Sequence, residues 1–164
     1  MSSGLAGVTS DNRLARVTLD EKLRQQVEDL AIIDDPQERL AHVVDRARRI
    51  SPLPAAERID AHRVRGCVSI VWLVGELRDG RCVFRFDADS PIVRGLLALL
   101  CEFFSGFSPA EVAASHLDPL EALGLLTNLS PTRRNGLAAA LKAIRTFAET
   151  HLAPLPTGTD PALR

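Results

Sequence analysis

The sequence predicts an α+β fold in which about six helices cover a small antiparallel sheet. Two segments, 68–77 and 81–87, have the composition of β-strands, and Asp79-Gly80 between them is typical of a two-residue hairpin turn. Elsewhere the chain repeats a step in which Ser or Asp precedes Pro, a pattern typical of helix starts. One hairpin and a series of helices are therefore expected.

The N-terminal part predicts two helices. Residues 1–16 are expected to be flexible, and 17–151 to form a single domain. Thr18 and Glu21 have the spacing of a capping box, and Asp35-Pro36 is typical of a second helix start. Because the turn between these helices is short, we expect them to pack as an antiparallel hairpin.

The centre of the chain predicts the sheet. The segment 68–77 is rich in β-branched residues, which favour strands. In the return strand, Cys82, Phe84 and Phe86 alternate with Arg81, Val83 and Arg85, so the first three are assigned to the core and the other three to the opposite face. A third short strand near 63–65 is left open.

Four more Pro-containing steps predict the remaining helices. The helix after Ser90-Pro91 is the most apolar, so we expect it to be central and to bury Cys101. Residues 152–164 are rich in Pro, Gly and Thr and are expected to form a disordered tail. The other helix starts are Ser108-Pro109, Asp118-Pro119 and Ser130-Pro131.

Composition excludes several classes of protein. The 164 residues are 46% hydrophobic and 25% charged, a balance typical of a globular domain. A net charge of −1 argues against nucleic-acid binding. No apolar run approaches the roughly 20 residues of a membrane span, and residues 1–10 lack a signal-peptide pattern. We expect a cytoplasmic protein with no membrane or nucleic-acid partner.

The cysteines suggest sulfur chemistry rather than a metal site. Cys67, Cys82 and Cys101 are widely spaced, and no Cys/His cluster has zinc spacing, so no metal is expected. Cys67 follows Gly66, which can adopt backbone angles closed to other residues, and precedes a strand. This pattern places a thiol on a turn, although a buried, inert role for Cys67 stays open on it alone.

A resemblance to a known family sharpens this hypothesis. The segment from Val64 to Trp72 resembles the cysteine motif of the SufE family, which includes the CsdE proteins and usually has the sequence Gly-Cys-Gln-Ser-Gln-Val-Trp. Here Val68 and Ile70 replace the two glutamines. Three more segments, 87–96, 107–112 and 129–137, resemble family motifs in family order, so the likeness covers about 19–149.

The resemblance implies a function. Members of the family accept sulfur from a pyridoxal-phosphate cysteine desulfurase of the SufS type, stimulate that enzyme, and pass the sulfur to an iron–sulfur scaffold such as SufBCD. By this resemblance Cys67 is the persulfide acceptor, Gly66, Ser69 and Trp72 support its loop, and the chain needs no cofactor of its own. The implied fold resembles IscU-type scaffolds, with the cysteine loop at one end of the sheet.

Positive charge near the cysteine would favour the reactive thiolate. Arg63 and Arg65 flank the loop in sequence. Arg133 matches a family arginine, and it either lies near the loop or pairs with Asp87 or Asp89 to join the last helix to the sheet.

Other polar residues have simpler interpretations. His62 either acts as a base or is a solvated side chain. Asp87 and Asp89 are expected to be a helix-start cluster rather than a metal site.

The two apolar replacements bear on the mechanism. Val68 and Ile70 make the loop less polar, and a dry pocket disfavours a thiolate while shielding a persulfide from water. One hypothesis is that Cys67 is held inward and moves out on docking to its donor. The alternative is that the replacements change which desulfurase is recognised.

Two other functions compete with sulfur transfer. A stand-alone thiol enzyme would normally need a resolving cysteine or a paired base, and neither is evident. A binding domain that activates a desulfurase without carrying sulfur would have no need of Cys67. The predicted sulfur carrier is itself not an enzyme, because its reaction consumes a partner's persulfide.

Overall fold

The computed structural model describes residues 16–66 and 68–153, and the predictions for 1–15, for Cys67 and for 154–164 lie outside these residues. The described chain contains six α-helices and a two-stranded antiparallel sheet, which confirms the predicted α+β fold. A short 3₁₀ helix, Asp60–His62, precedes the sheet. The elements in chain order are α1 Leu19–Leu30, α2 Pro36–Ala47, β1 Val71–Arg78, β2 Arg81–Ala88, α3 Pro91–Phe104, α4 Pro109–Ala114, α5 Pro119–Ala122 and α6 Pro131–Thr150.

Side-chain caps explain where the helices begin. Thr18 and Glu21 form the predicted capping box of α1, in which each side chain accepts a hydrogen bond from the other residue's backbone N–H. Each of the other five helices begins at the proline of a predicted Ser-Pro or Asp-Pro step. In every case the Ser or Asp side chain accepts a hydrogen bond from a first-turn N–H. The predicted helix starts are therefore confirmed.

The hairpin turn has the conformation that its sequence predicts. Asp79 and Gly80 both have positive φ, 51° and 74°, as a turn that matches the twist of the strands requires. The predicted start of β1 is wrong, because the strand begins at Val71 and not at residue 68. The segment 63–65 is not a third strand but forms one isolated bridge, Arg63 to Trp72. High β-propensity did not extend the strand, since β2 ends at Ala88, the residue that pairs with Val71.

The core is built around α3. Its apolar side chains are almost fully shielded from solvent, and Cys101 is buried among them as predicted. The inward face of β2, with Cys82, packs against this helix. α6 covers the neighbouring part of the sheet, where Gly75 leaves room for the ring of Phe147.

The first two helices do not pack as the predicted hairpin. α1 and α2 contact each other little, and each lies instead against α3. Lys22 on α1 donates hydrogen bonds to the carbonyl oxygens of Glu102 and Phe103 at the end of α3, at 2.7 and 2.8 Å. α2 lies close to α3 at Gly95, where a Cβ atom would come within 2.8 Å of the Val44 Cα. Attachment to separate parts of α3 holds the two helices apart.

Within the described residues, every helix is too short or too polar to cross a membrane.

Candidate functional site

The candidate site is the loop 65–70, which connects the 3₁₀-helix segment to β1. The N–H of Val64 donates to the carbonyl oxygen of Val71 at 2.9 Å, and this bond closes the base of the loop. Gly66 is exposed and has φ of +83°, as the sequence predicted for a sharp turn. Val68 is 85% exposed, and Ser69 is half-buried. The predicted acceptor, Cys67, lies outside the described residues, between two exposed neighbours in the chain.

The exposure of Val68 bears on the hypothesis of an inward cysteine. A valine that points into solvent is not the wall of a dry pocket. Ile70, which is half-buried, remains available for that role. The structure thus removes one of the two side chains from which the pocket was expected.

An ion pair anchors the segment that leads into the loop. The Arg85 guanidinium on β2 makes two hydrogen bonds to the Glu57 carboxylate, one of them between Nη2 and Oε1 at 2.8 Å. These bonds hold the pKa of the Glu57 carboxyl below its usual value. The chain segment that leads to residue 67 is therefore attached directly to β2.

His62 takes part in the same anchor. Its Nδ1 lies 2.8 Å from the carbonyl oxygen of Glu57. Because a carbonyl can only accept, Nδ1 carries a proton and donates it. This bond gives His62 a structural role in the turn, and only Nε2 is left for the base chemistry that the sequence suggested.

Basic side chains lie beside the loop. Arg65 pairs with Asp60 at 3.1 Å, and both side chains are largely exposed. Arg63 is also exposed. A groove of about 470 Å³ separates this segment from α6, and Lys142 and Phe147 line its far side. The loop thus stands next to a groove with an apolar floor and a basic rim.

Asp87 has a structural role. It is 5% exposed, and its carboxylate accepts hydrogen bonds from the N–H of Leu53 at 3.1 Å and from Arg94 Nε at 3.0 Å. Arg94 also donates to the carbonyl oxygens of Ala47 and Ile50, at 2.7 and 2.8 Å. One buried ion pair therefore joins the end of β2 to α3 and to the segment after α2.

The remaining predicted site residues surround this pair. Trp72 is half-buried and lies opposite Asp87 in the sheet register. Asp89 is exposed, and its N–H donates to the carbonyl oxygen of Ile70 at 3.2 Å, which fixes the far end of the loop.

In the part of the chain that the structure describes, no cluster of His, Cys, Asp and Glu side chains is suited to hold a metal ion.

Arg133 does not make the predicted contact with the acidic residues. Asp87 forms its ion pair with Arg94, and Arg133 forms an ion pair with neither Asp87 nor Asp89. Arg133 is half-buried in the first turn of α6, where its backbone N–H donates to the Ser130 Oγ. The suggestion that Arg133 joins the last helix to the sheet through these acids is wrong.

The sequence interpretation missed three residues that shape the site, Arg94, Arg85 and Glu57. Arg94 lies within the 87–96 motif, so its presence was visible, but its buried partner was not. Arg85 alternates with the core phenylalanines and was placed correctly on the opposite face of β2. Nothing in the local pattern connects it with Glu57, which lies 28 residues earlier.

The other two cysteines are unsuited to sulfur transfer. Cys82 and Cys101 are buried, and burial raises the pKa of both thiols. Both the low thiolate content and the lack of access make them inert. Cys67 is the remaining cysteine of the sequence.

Comparison with known proteins points to one family. The family model described as SufE, Fe–S metabolism associated domain, matches residues 24–148. An uncharacterized SufE-like protein of Synechocystis is 33% identical over 135 residues, which cover 82% of this chain and 85% of that protein. An uncharacterized SufE-like protein of Rhizobium etli is 35% identical over 148 residues, which cover 86% and 96% of the two chains.

A solved structure shares the fold. The solution structure of a hypothetical protein from Thermus thermophilus matches with a TM-score of 0.65 and 24% identity, over 80% of this chain and 96% of that one. At this identity the likeness concerns the fold.

Proposed function

Because the chain belongs to the SufE family of Fe–S metabolism, we propose that it carries sulfur on Cys67. The sulfur donor is a pyridoxal-phosphate cysteine desulfurase of the SufS type, which the carrier also stimulates. The recipient is an iron–sulfur scaffold such as SufBCD. The carrier needs no cofactor of its own, because the reacting group is a thiol.

The proposed step is a thiol–persulfide exchange. The Cys67 thiolate attacks the outer sulfur of a persulfide on the donor's cysteine. A bond forms between these two sulfur atoms, and the donor's S–S bond breaks. The electron pair of that bond leaves with the donor cysteine as a thiolate, which can take up the proton that Cys67 lost. No separate oxidant is required, because the transferred sulfur keeps its oxidation state.

The observation that carries the proposal is the closed loop around position 67. The Val64–Val71 bond and the Asp89–Ile70 bond fix its two ends, while its neighbours Gly66 and Val68 are exposed. A partner must reach the sulfur of Cys67 to transfer to it, so residues on both sides have to be accessible. Gly66 helps because it has no side chain to block the approach.

Nearby charge supports the chemistry. An unperturbed thiol with a pKa of about 8.5 is only a few per cent ionised at neutral pH, and positive charge raises that fraction. Arg63 is exposed beside the loop, and Arg65 is exposed there too, although its charge is offset by its ion pair with Asp60. Arg133, which the family resemblance implies near the loop, is included in this proposal as a third cation.

Intact mass spectrometry tests the proposal. The protein is incubated with a SufS-type desulfurase and cysteine, and its mass is measured without reductant. We expect a gain of one sulfur atom, which disappears in Cys67→Ser and persists in the control variants Cys82→Ala and Cys101→Ala. A wild-type protein that gains no sulfur from an active desulfurase would contradict the proposal.

The competing functions give different outcomes in the same experiment. Stimulation of the desulfurase that survives Cys67→Ser, with no mass gain in the wild type, would identify an activating domain. Turnover of peroxide without any partner would identify a thiol enzyme.

A further inference from the structure

The cleft between α1, α2 and α3 is a second candidate site, separate from the cysteine loop. Its volume is about 380 Å³, within the range of about 300–1,000 Å³ typical of small-ligand sites. Small residues of α2 and α3 form its floor, and larger apolar side chains form its walls. The floor contains Ala47, Gly95 and Ala98, and the walls contain Leu30, Ile33, Val43 and Leu99.

The cleft is preformed, because contacts at its edges prevent the helices from closing it. The Lys22 bonds to the end of α3 hold α1. Arg39 holds the turn between α1 and α2 through two hydrogen bonds to the carbonyl oxygen of Ile33, at 3.0 and 2.8 Å. α2 cannot approach α3 more closely, since Gly95 already meets the backbone of Val44. The space is a consequence of these contacts and not of loose packing.

Polar atoms in the cleft indicate the charge of a ligand. The Gln26 Oε1 is buried and has no hydrogen-bond partner, and a buried acceptor without a donor is destabilising. Asp29 and Glu102 add two carboxylates to the lining. Their one guanidinium neighbour, Arg46, is already paired with Glu102 at 3.0 Å. His42 also lines the cleft. With Glu102 paired, the acceptors that the cleft offers to a ligand are the Gln26 Oε1 and the Asp29 carboxylate.

An exposed apolar side chain stands at the mouth of the cleft. Ile32 is 85% exposed, although it belongs to the residues that line the cleft. A ligand with an apolar body would cover Ile32 and contact the apolar walls of the cleft. Both contacts would remove hydrocarbon surface from water.

From these observations we propose that the cleft binds a small apolar amine. The ammonium group donates to Gln26 Oε1 and faces the Asp29 carboxylate, and the hydrocarbon body lies against the small-residue floor and Ile32. This site does not depend on the proposed function of Cys67, whose loop lies outside the cleft lining.

Amide NMR with three probes of matched size tests the charge and donor requirements. Phenethylamine is compared with phenethyl alcohol and with phenylpropionate, each at millimolar concentrations. We expect phenethylamine to shift the amide signals of Leu30, Ile33 and Leu99, and to bind about tenfold more tightly than the carboxylate probe. Equal binding of phenylpropionate, or shifts that avoid the cleft, would overturn the proposal.

Two glutamines provide a matched pair of variants. Gln26→Leu removes the buried acceptor and should weaken phenethylamine binding by about fivefold. Gln37→Leu is the control, because Gln37 is exposed in the first turn of α2 and lies outside the cleft lining. Equal weakening by the two substitutions would contradict the assigned role of Gln26. Leu99→Trp, which fills the cleft, should abolish the shifts in a protein whose amide spectrum remains folded, and shifts that persist would also contradict it.

Discussion

The Arg94 guanidinium and the Asp87 carboxylate form a buried ion pair, with 3.0 Å between Nε and Oδ1. The pair connects the end of β2 to α3, and Arg94 extends the connection to the carbonyl oxygens of Ala47 and Ile50. It therefore holds together three segments that surround the end of the sheet where the cysteine loop lies.

Breaking this pair should destabilise the protein strongly. Arg94→Met leaves the Asp87 carboxylate buried without its cation, and we expect a loss of about 3 kcal/mol in the free energy of unfolding, measured with urea. Arg46→Met is the control, because the Arg46–Glu102 pair is largely exposed and should contribute under about 1 kcal/mol. Similar losses in the two variants would show that burial does not set the strength of the Arg94 pair.

Gly75 should not tolerate a side chain. A Cβ atom there would come within 2.6 Å of the Phe147 ring, so Gly75→Ala forces the ring, or α6 with it, away from β1. We expect a loss of about 1–3 kcal/mol in the free energy of unfolding. In a protein that already carries Phe147→Leu, the Gly75→Ala substitution should cost less free energy of unfolding than it costs in the wild type. A loss as large in that smaller background would mean that the ring is not the obstacle.

Val68 should matter for docking but not for stability. If the proposed sulfur transfer is correct, Val68 enters the interface with the donor, because it is adjacent to the reacting residue. Val68→Asp should leave the urea midpoint unchanged and weaken binding to the desulfurase by about tenfold, measured by calorimetry. The reason is that the substitution puts a charge where docking would bury an apolar side chain.

Ile32→Asp is the matched control for this measurement. Ile32 and Val68 are equally exposed apolar residues, but Ile32 lies at the cleft between α1 and α2. An equal effect of both substitutions on binding would contradict a specific role for Val68. Absence of binding by the wild-type protein would instead count against the proposed function itself.

The buried thiols predict a decline in stability at alkaline pH. Burial raises the pKa of Cys101 well above the ordinary thiol value of about 8.5. The stabilisation that the buried, protonated Cys101 thiol provides is fully present at pH values below that ordinary pKa. Above it the unfolded chain loses a proton that the folded chain keeps, so the free energy of unfolding falls by up to about 1.4 kcal/mol per pH unit.

Urea titrations between neutral pH and pH of about 10 measure this decline. Cys101→Ala should show a shallower pH dependence than the wild type, whatever its stability at neutral pH. Parallel curves for the two proteins would show that the thiol at position 101 ionises equally in the folded and unfolded states.

The helix starts could be predicted from the sequence because their causes are local. A Ser or Asp side chain caps the N–H groups two or three residues ahead, and the proline that follows is restricted to helical φ. The Asp79-Gly80 turn is local in the same sense, since two residues with positive φ determine it. The choice of Cys67 also came from neighbouring residues and from a motif resemblance, and it remains a prediction.

Only the tertiary structure decided how distant segments meet. The strand was expected to begin at 68, yet it begins at Val71, because pairing requires a partner strand that local propensity does not supply. The partner of Asp87 proved to be Arg94 and not Arg133, since a buried charge pairs with the cation that packing brings to it. α1 and α2 were expected to pack together, but Lys22 and Gly95 attach them separately to α3 and leave the cleft between them. Caps and turns act within a few residues, and those were determined by the sequence alone. Ion pairs, strand ends and clefts depend on contacts between segments far apart in the chain, and no local pattern encodes them.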